Sequence, residues 1–415
     1  MSHPEKTRVL FLNRSYWPDT EATGQLLTEL CEGLAKDFDV HVLAGRPNAT
    51  AGEVSWKGVH QRNGVTIHRV EHSAFPKSNM FLKGLNLISF AVAGRHQILK
   101  LPIPHVVVFE TDPFLLPFVA DRLHARHAVP MVGYLQDIYP DVAVALGKIR
   151  DSLLVRTLRK KLFEVYRRCT RMVVLSSDMQ KLLLTSGIAQ DRIDVIPNWA
   201  DAERIHPIPR DENIFLRREG LLDRFVVMYS GNLGLTQRLE DFVEAARLLK
   251  GMDHIEFVFI GRGARKAVLQ KLVHSSRLKN VRFLDYVPQE ELAHSLSAAD
   301  LHLVPLASKL TGCLMPSKLY GILAAGRPYL TNAADNSELY RITAAYRIGL
   351  TVEANSPEQI ADALRSASQS RDVLNQMGKR GRDLAETCFT RSASTTAFQK
   401  VLENAVKEHK EVTRC

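Results

Sequence analysis

Short apolar runs recur along this chain and alternate with stretches whose apolar positions fall three or four residues apart. Residues 9–12 (VLFL) read as a buried first strand. A polar loop over 13–23 leads to a helix over about 24–36, with Leu26, Leu27, Leu30 and Leu34 on one side. The strand pattern returns at 40–43, 65–70, 105–109, 131–135, 172–175 and 194–196. Buried strands of this length, separated by helices, predict a parallel, doubly wound α/β sheet.

The rhythm breaks near residues 197–201 (PNWAD), and the polar stretch 202–223 reads as a linker with a short helix. A second series follows at 225–229, 256–260, 281–284, 301–304, 329–331 and 349–352, with helices notably over 239–249 and 265–272. Residues 392–409 read as a polar helix. The division predicted is a first Rossmann-like domain over 1–201, the linker over 202–223, a second over 224–391 and a final helix over 392–415. Two such domains would place a cleft between the carboxyl edges of their sheets.

At 415 residues the chain has room for two or three cores. Its formal charge of +10 predicts an anionic partner. Basic and aromatic residues are not interleaved as a stacking platform requires, which argues against nucleic acid. Five scattered cysteines without metal-ligand spacing fit reduced thiols. The first residues lack a signal-peptide core, and no apolar run reaches the roughly 18–20 residues of a membrane span. A cytoplasmic protein is expected.

Candidate chemistry gathers where strands end. Residues 316–328 (PSKLYGILAAGRP) follow a strand and open a helix that Gly326 and Pro328 would stop. A helix start at that edge favours phosphate, and Lys318 adds a positive charge; an ordinary βα unit with a surface lysine fits the same residues. Residues 229–238 (YSGNLGLTQR) run from a strand into a glycine turn, with Arg238 available to a phosphate, or form a simple tight turn. Residues 260–264 (IGRGA) make a second such turn. In the first half, Gly24 sits at a helix start. Asp137 follows a strand and reads either as an acid–base group or as a helix N-cap. Glu110 and Asp112 carry the same ambiguity one strand earlier.

Two segments point to a membrane surface. Residues 81–92 (FLKGLNLISFAV) are apolar but too short to span, so they read as an interfacial helix or a core helix. Residues 150–171 hold eight arginines and lysines against Asp151 and Glu164, a cationic face suited to anionic headgroups or simply to solvent.

Taken together these blocks resemble the family 4 retaining glycosyltransferases of GT-B fold, in particular the colanic-acid and O-antigen type transferases of bacterial polysaccharide biosynthesis. The resemblance rests on residues 15–24, 136–140, 197–199, 229–234, 281–288 and 316–328 and covers nearly the whole chain. It implies a nucleotide-sugar donor held mainly by the second domain, a UDP-sugar ahead of a GDP-sugar, with no cofactor and no metal. Phe283, Tyr286 and Val287 would surround the base. The turn at Gly231, with Arg238, and Lys318 would meet the diphosphate, approached by Gly24 from the other domain, and Asn232, Arg262, Pro316 and Ser317 would also belong to the donor site. Lys318 and Arg238 would neutralise the leaving group, and Asp137 would serve the acceptor. The acceptor implied is a lipid-linked saccharide at the inner face of the plasma membrane.

The chain departs from the family at two positions. Two glutamates common in family 4 fall on Cys313 and Gly321, and Glu338 is the candidate to hold donor-sugar hydroxyls instead. The Arg and Lys that often follow the glycine turn fall on Asn232 and Gln237. A nucleotide-sugar epimerase of the same architecture and a catalytically silent nucleotide-binding module are the competing readings.

Overall fold

The computed structural model of the chain describes residues 6–19, 21–47, 56–73, 75, 80–234 and 238–414. It divides into two units. Met1–Pro197, Gly312–Leu314 and Arg391–Cys415 form the first, and Asn198–Thr311 with Met315–Thr390 form the second.

The first unit holds β1 (Arg8–Leu12), β2 (Asp39–Gly45), β3 (Gly58–Arg62), β4 (Val65–Val70), β5 (Val106–Phe109), β6 (Met131–Leu135), β7 (Arg171–Val174) and β8 (Ile193–Val195). They line up as β3-β4-β2-β1-β5-β6-β7-β8. All described pairs are parallel except the β3–β4 hairpin. Val106 to Phe109 and Met131 to Leu135 are buried throughout, as strands covered on both faces must be. The hairpin turns on Asn63 and Gly64, at φ 45° and 81°, the left-handed pair that a two-residue turn requires. No apolar run announces β3, which lies at the sheet edge and is largely exposed.

The predicted C-terminal helix exists as Arg391–Arg414, but it belongs to the first unit. Phe398 places its ring 6.0 Å from that of Phe11 and 5.1 Å from that of Tyr134, on the central strands. Arg391 donates to the Glu29 carbonyl from Nη2 at 2.6 Å, and Arg171 meets Glu408 at 2.6 Å.

The second unit carries β9 (Phe225–Ser230), β10 (Ile255–Ile260), β11 (Val281–Leu284), β12 (Leu301–Leu303), β13 (Tyr329–Thr331) and β14 (Gly349–Thr351), ordered β11-β10-β9-β12-β13-β14. Its described neighbours are all parallel. The stretch expected as a linker is part of this unit. Asn213 caps a short helix, Ile214–Arg218, and Phe215, Leu216 and Leu221 bury into a core with Val226, Met228 and Val258. Arg382 then gathers the carbonyls of Ala202, Ile205 and Ala324 at 2.9, 2.7 and 2.5 Å. A guanidinium serving three buried carbonyls fixes the segment as firmly as a strand pairing would.

The helix Met80–Gln97 covers the apolar segment predicted to face a membrane. Phe90 is fully buried and meets the His72 ring edge-on at 5.4 Å, so its side of the helix belongs to the core. The side chain of Phe81 lies outside the described residues. No helix among the described residues is long and apolar enough to cross a membrane. Replacing Phe90 by Ala is expected to cost about 3–5 kcal/mol in denaturant unfolding, because the cavity opens under a fixed helix. A cost below about 1 kcal/mol would return this helix to the surface.

Candidate active site

In the second unit, two glycine turns interlock at the carboxyl edge. Gly231, at φ +140°, follows β9 and donates its N–H to the Ile260 carbonyl at 2.9 Å. Gly261, also at φ +140°, follows β10; a Cβ built there would lie 2.0 Å from the Gly231 oxygen. Only glycine permits that backbone-on-backbone approach. Leu233 N–H to Arg262 O at 2.9 Å and Arg265 N–H to Leu233 O at 3.0 Å close the pair.

Lys318 begins the helix Lys318–Ala324 and turns back beneath the Gly231 turn. Its Nζ stands 3.4 Å from the Tyr229 ring centroid. It is shut off from solvent with no hydrogen-bond partner. A Cβ at Gly231 would come within 3.1 Å of it. The Tyr229 hydroxyl is engaged in turn, donating to the Asn232 carbonyl at 2.7 Å. Burial without a compensating anion holds the ammonium well below its ordinary proton affinity. An electron-rich ring face offsets part of that cost, and an arriving anion would offset the rest.

The other predicted donor residues fall at or near this edge. Arg238, at φ +41°, lies half-exposed with Nε 3.4 Å from Asp241. Gln237 lies outside the described residues. Arg262 reaches Asp285 at 3.6 Å, and Lys266 reaches it at 2.7 Å; these cations keep the Asp285 carboxyl below its usual range. Tyr286 is half-exposed beside Gly261, and Val287 packs with Leu284 on one face of the sheet. Phe283 is half-buried; its ring stacks on Phe259, with centroids 5.3 Å apart, and packs against the edge of the core. Pro316 accepts from Leu319 N–H at 3.2 Å, and Ser317 is exposed at the N-cap without a side-chain capping bond. Glu338 opens the helix after β13, where Ser337 supplies the cap. Gly326, at φ +64°, follows the Lys318 helix as its stop.

The two positions that lack glutamate differ in their surroundings. A Cβ at Gly321 would meet Leu296 Cδ1 at 3.4 Å and Ile205 Cδ1 at 3.9 Å, both apolar. Cys313 is buried in the first unit, where its carbonyl accepts from Ile138 N–H at 2.8 Å. Its thiol is pushed up to about 11 by burial, with Asp141 and Asp137 adding to the effect.

In the first unit, the carboxyl edge of β1, β5 and β6 collects acids. Arg14 pairs with Asp112 at 2.9 Å and with Glu21 at 3.4 Å. Sequence reading missed Arg14, a loop arginine whose partner lies far along the chain. Asp137 is held by a hydrogen bond from its N–H to Thr111 Oγ1 at 3.3 Å. The N-cap of the next helix, Asp141–Ala145, is Pro140, so Asp137 does not cap it. Burial and the Asp112 charge push the Asp137 carboxyl up to about 6, opposed by Lys148. Glu110 separates from Asp112: it is buried with neither oxygen hydrogen-bonded, and burial drives it well above the carboxylate range. Gly24 lies inside the helix Ala22–Leu34, where a Cβ would strike Ser15 Oγ at 2.7 Å. Its need for glycine is that close packing.

Lys318→Met is expected to stabilise the ligand-free protein at neutral pH by about 1–3 kcal/mol, since it removes an unpaired buried charge. The folded state binds that proton less tightly than the unfolded chain, so wild-type stability rises as pH climbs toward the ordinary lysine value of about 10.4. The gap between variant and wild type should therefore narrow in that direction. Thermal melts across pH 7–10 measure it; a destabilised Met variant would mean that Lys318 has a partner.

Comparison with known proteins fits this layout. The model for Glycosyltransferase Family 4 matches residues 23–204, and that for Glycosyl transferases group 1 matches residues 212–384. WbjE of Pseudomonas aeruginosa, named a probable glycosyltransferase, is 26% identical over 306 residues, spanning 74% of this chain and 76% of its own. WcaI of Escherichia coli K12, named for colanic acid biosynthesis, is 24% identical over 376 residues, spanning 87% and 92%. The crystal structure of Anabaena HepE in complex with UDP and glucose superposes with a TM-score of 0.71 at 14% identity, covering 96% of this chain and 99% of that one. With one model matched in each half, in chain order, and a GT-B fold in common with HepE, the chain belongs to the family 4 glycosyltransferases.

Proposed function

We propose that this glycosyltransferase moves a hexosyl or N-acetylaminosugar group, with retention of configuration and without a metal, from a nucleotide-sugar to a saccharide carried on a polyprenyl diphosphate. The work is done at the inner face of the plasma membrane, in the assembly of a bacterial surface polysaccharide or exopolysaccharide. The observation that carries the reading is the buried, unpartnered ammonium of Lys318 beneath the Gly231 turn. A departing diphosphate is the anion such a site lacks. As the glycosidic bond to the donor phosphate breaks, negative charge grows on the leaving oxygens, and a preformed cation there stabilises the transition state more than the ground state. Arg238 adds a second, mobile cation. A uridine donor is favoured because HepE, of the same fold, is seen with UDP. The name of WcaI, for colanic acid biosynthesis, supports a role in polysaccharide assembly.

Asp137 is the group proposed to take the acceptor hydroxyl's proton. Its carboxyl must be ionised to do so. Since its proton affinity is raised to about 6, turnover should fall as pH drops through that value and be retained above it. Asp137→Asn should lower kcat by about 10²–10⁴-fold with little change in donor affinity. A fully active Asn variant would reduce Asp137 to a structural residue.

Lys318→Ala and Arg238→Ala are each expected to weaken UDP binding, Lys318→Ala by about tenfold or more, since its cation is the buried one. Calorimetry with UDP reads this directly, and unchanged affinity in both would remove the diphosphate assignment. Incubation with labelled UDP-sugars and a polyprenyl-diphosphate saccharide separates the competing readings. Transfer to the lipid supports this function; epimerisation without acceptor, or tight binding without turnover, replaces it.

A further inference from the structure

The cationic helix of the first unit, Leu153–Arg168, has two unlike sides. Leu162, Phe163, Val165 and Tyr166 are buried, and Tyr166 stacks on Phe109 of β5. The outer side follows positions seven apart: Leu153 and Leu154, then Lys160 and Lys161, then Arg167 and Arg168. Each step advances about 10 Å along the axis. The leucines are 82% and 79% exposed, and Ile149, just before the helix, is 37% exposed.

Single exposed apolar residues need no explanation, but two adjacent leucines at a helix tip beside a third apolar side chain do. Their surroundings select the partner. Arg150, Lys160 and Lys161 are exposed and carry no ion pair among the described residues. Arg156 and Arg159 are by contrast neutralised, by Asp151 at 3.0 and 3.1 Å and, for Arg159, by Asp141 at 2.9 Å. Apolar side chains at the tip, with cations spaced behind them, complement a surface that is negative outside and apolar just beneath. An anionic bilayer has that profile; a protein groove would demand matching acids at fixed positions.

We propose that residues 147–154 are a membrane-docking tip, with Ile149, Leu153 and Leu154 entering the headgroup layer of an anionic bilayer while Arg150, Lys160 and Lys161 meet its phosphates; Arg167 and Arg168, tied to the Ser186 carbonyl and to Asp121, stay with the protein. The tip also adjoins the acceptor edge, because Lys148 at its base is the cation that acts on Asp137. The inference rests on the lipid-linked acceptor reading for its purpose: a diphosphate-bound saccharide rising from the headgroups would meet the protein beside its proposed base.

The test compares wild type, the Leu153→Ser/Leu154→Ser double variant and the Lys160→Glu/Lys161→Glu double variant in sedimentation with vesicles. One set contains phosphatidylglycerol and phosphatidylethanolamine, the other phosphatidylcholine alone. Wild type is expected to sediment with the anionic set, and each variant to bind it about tenfold more weakly. Melting temperatures should be unchanged, because these side chains touch no core. Binding that survives both substitutions places the contact elsewhere and overturns the proposal, as does a wild type that ignores both vesicle sets. A leucine-dependent dimer seen by light scattering would show that a second copy covers the tip, and also overturns it. Activity separates this proposal from the reading beneath it. The leucine variant should keep wild-type turnover on a short-chain, water-soluble lipid diphosphate saccharide, while its KM for the vesicle-embedded acceptor rises about tenfold. If wild type transfers sugar to neither acceptor while the vesicle contrast holds, the acceptor reading fails and the docking tip stands.

Discussion

A buried ammonium with no anion beside it is the constraint on which the second unit turns. Lys318 is kept in place by the Tyr229 ring below and the glycine turn above. That arrangement dictates much of its surroundings. Gly231 must lack a side chain, the turn after β10 must lie against it with another glycine, and the Tyr229 hydroxyl is tied to Asn232. Stability is given up locally, because burial without an anion disfavours the protonated amine.

Much of this architecture was legible from residue order. Strands buried on both faces announce themselves as unbroken apolar runs, and β1, β5, β6, β9 and β10 were found that way. β3 was not, because an exposed edge strand carries no such run; the Asn63-Gly64 pair was the available signal and pointed to a hairpin. Residues 202–223 look like a linker because their polar composition hides Phe215, Leu216 and Leu221. What commits them to the second unit is Arg382, some 180 positions further on. No local pattern reports such a partner. The same holds for Arg14, which became visible as part of the acidic edge only when β5 brought Asp112 to it.

The site was legible in type and less so in use. Lys318 could be placed at a strand-to-helix junction from spacing alone, whereas its burial is a tertiary fact. A strand pattern does not report which face a ring takes: residues on β11 alternate between faces, and the half-buried Phe283 ring stacks on Phe259. Gly321 is similar: what looks like a missing glutamate is a position that faces Leu296 and Ile205.

The helix Arg391–Arg414 has a consequence for how the protein is made. Phe398 completes the packing over Phe11 and Tyr134, so the unit that is synthesised first lacks a piece of its core until the helix Arg391–Arg414 has left the ribosome. The second unit, whose last residue is Thr390, has all of its strands and helices translated before that helix begins. Order of synthesis and order of completion are therefore reversed. Without residues 391–414 the second unit keeps all of its strands and helices, while the first loses the cover over Phe11 and Tyr134.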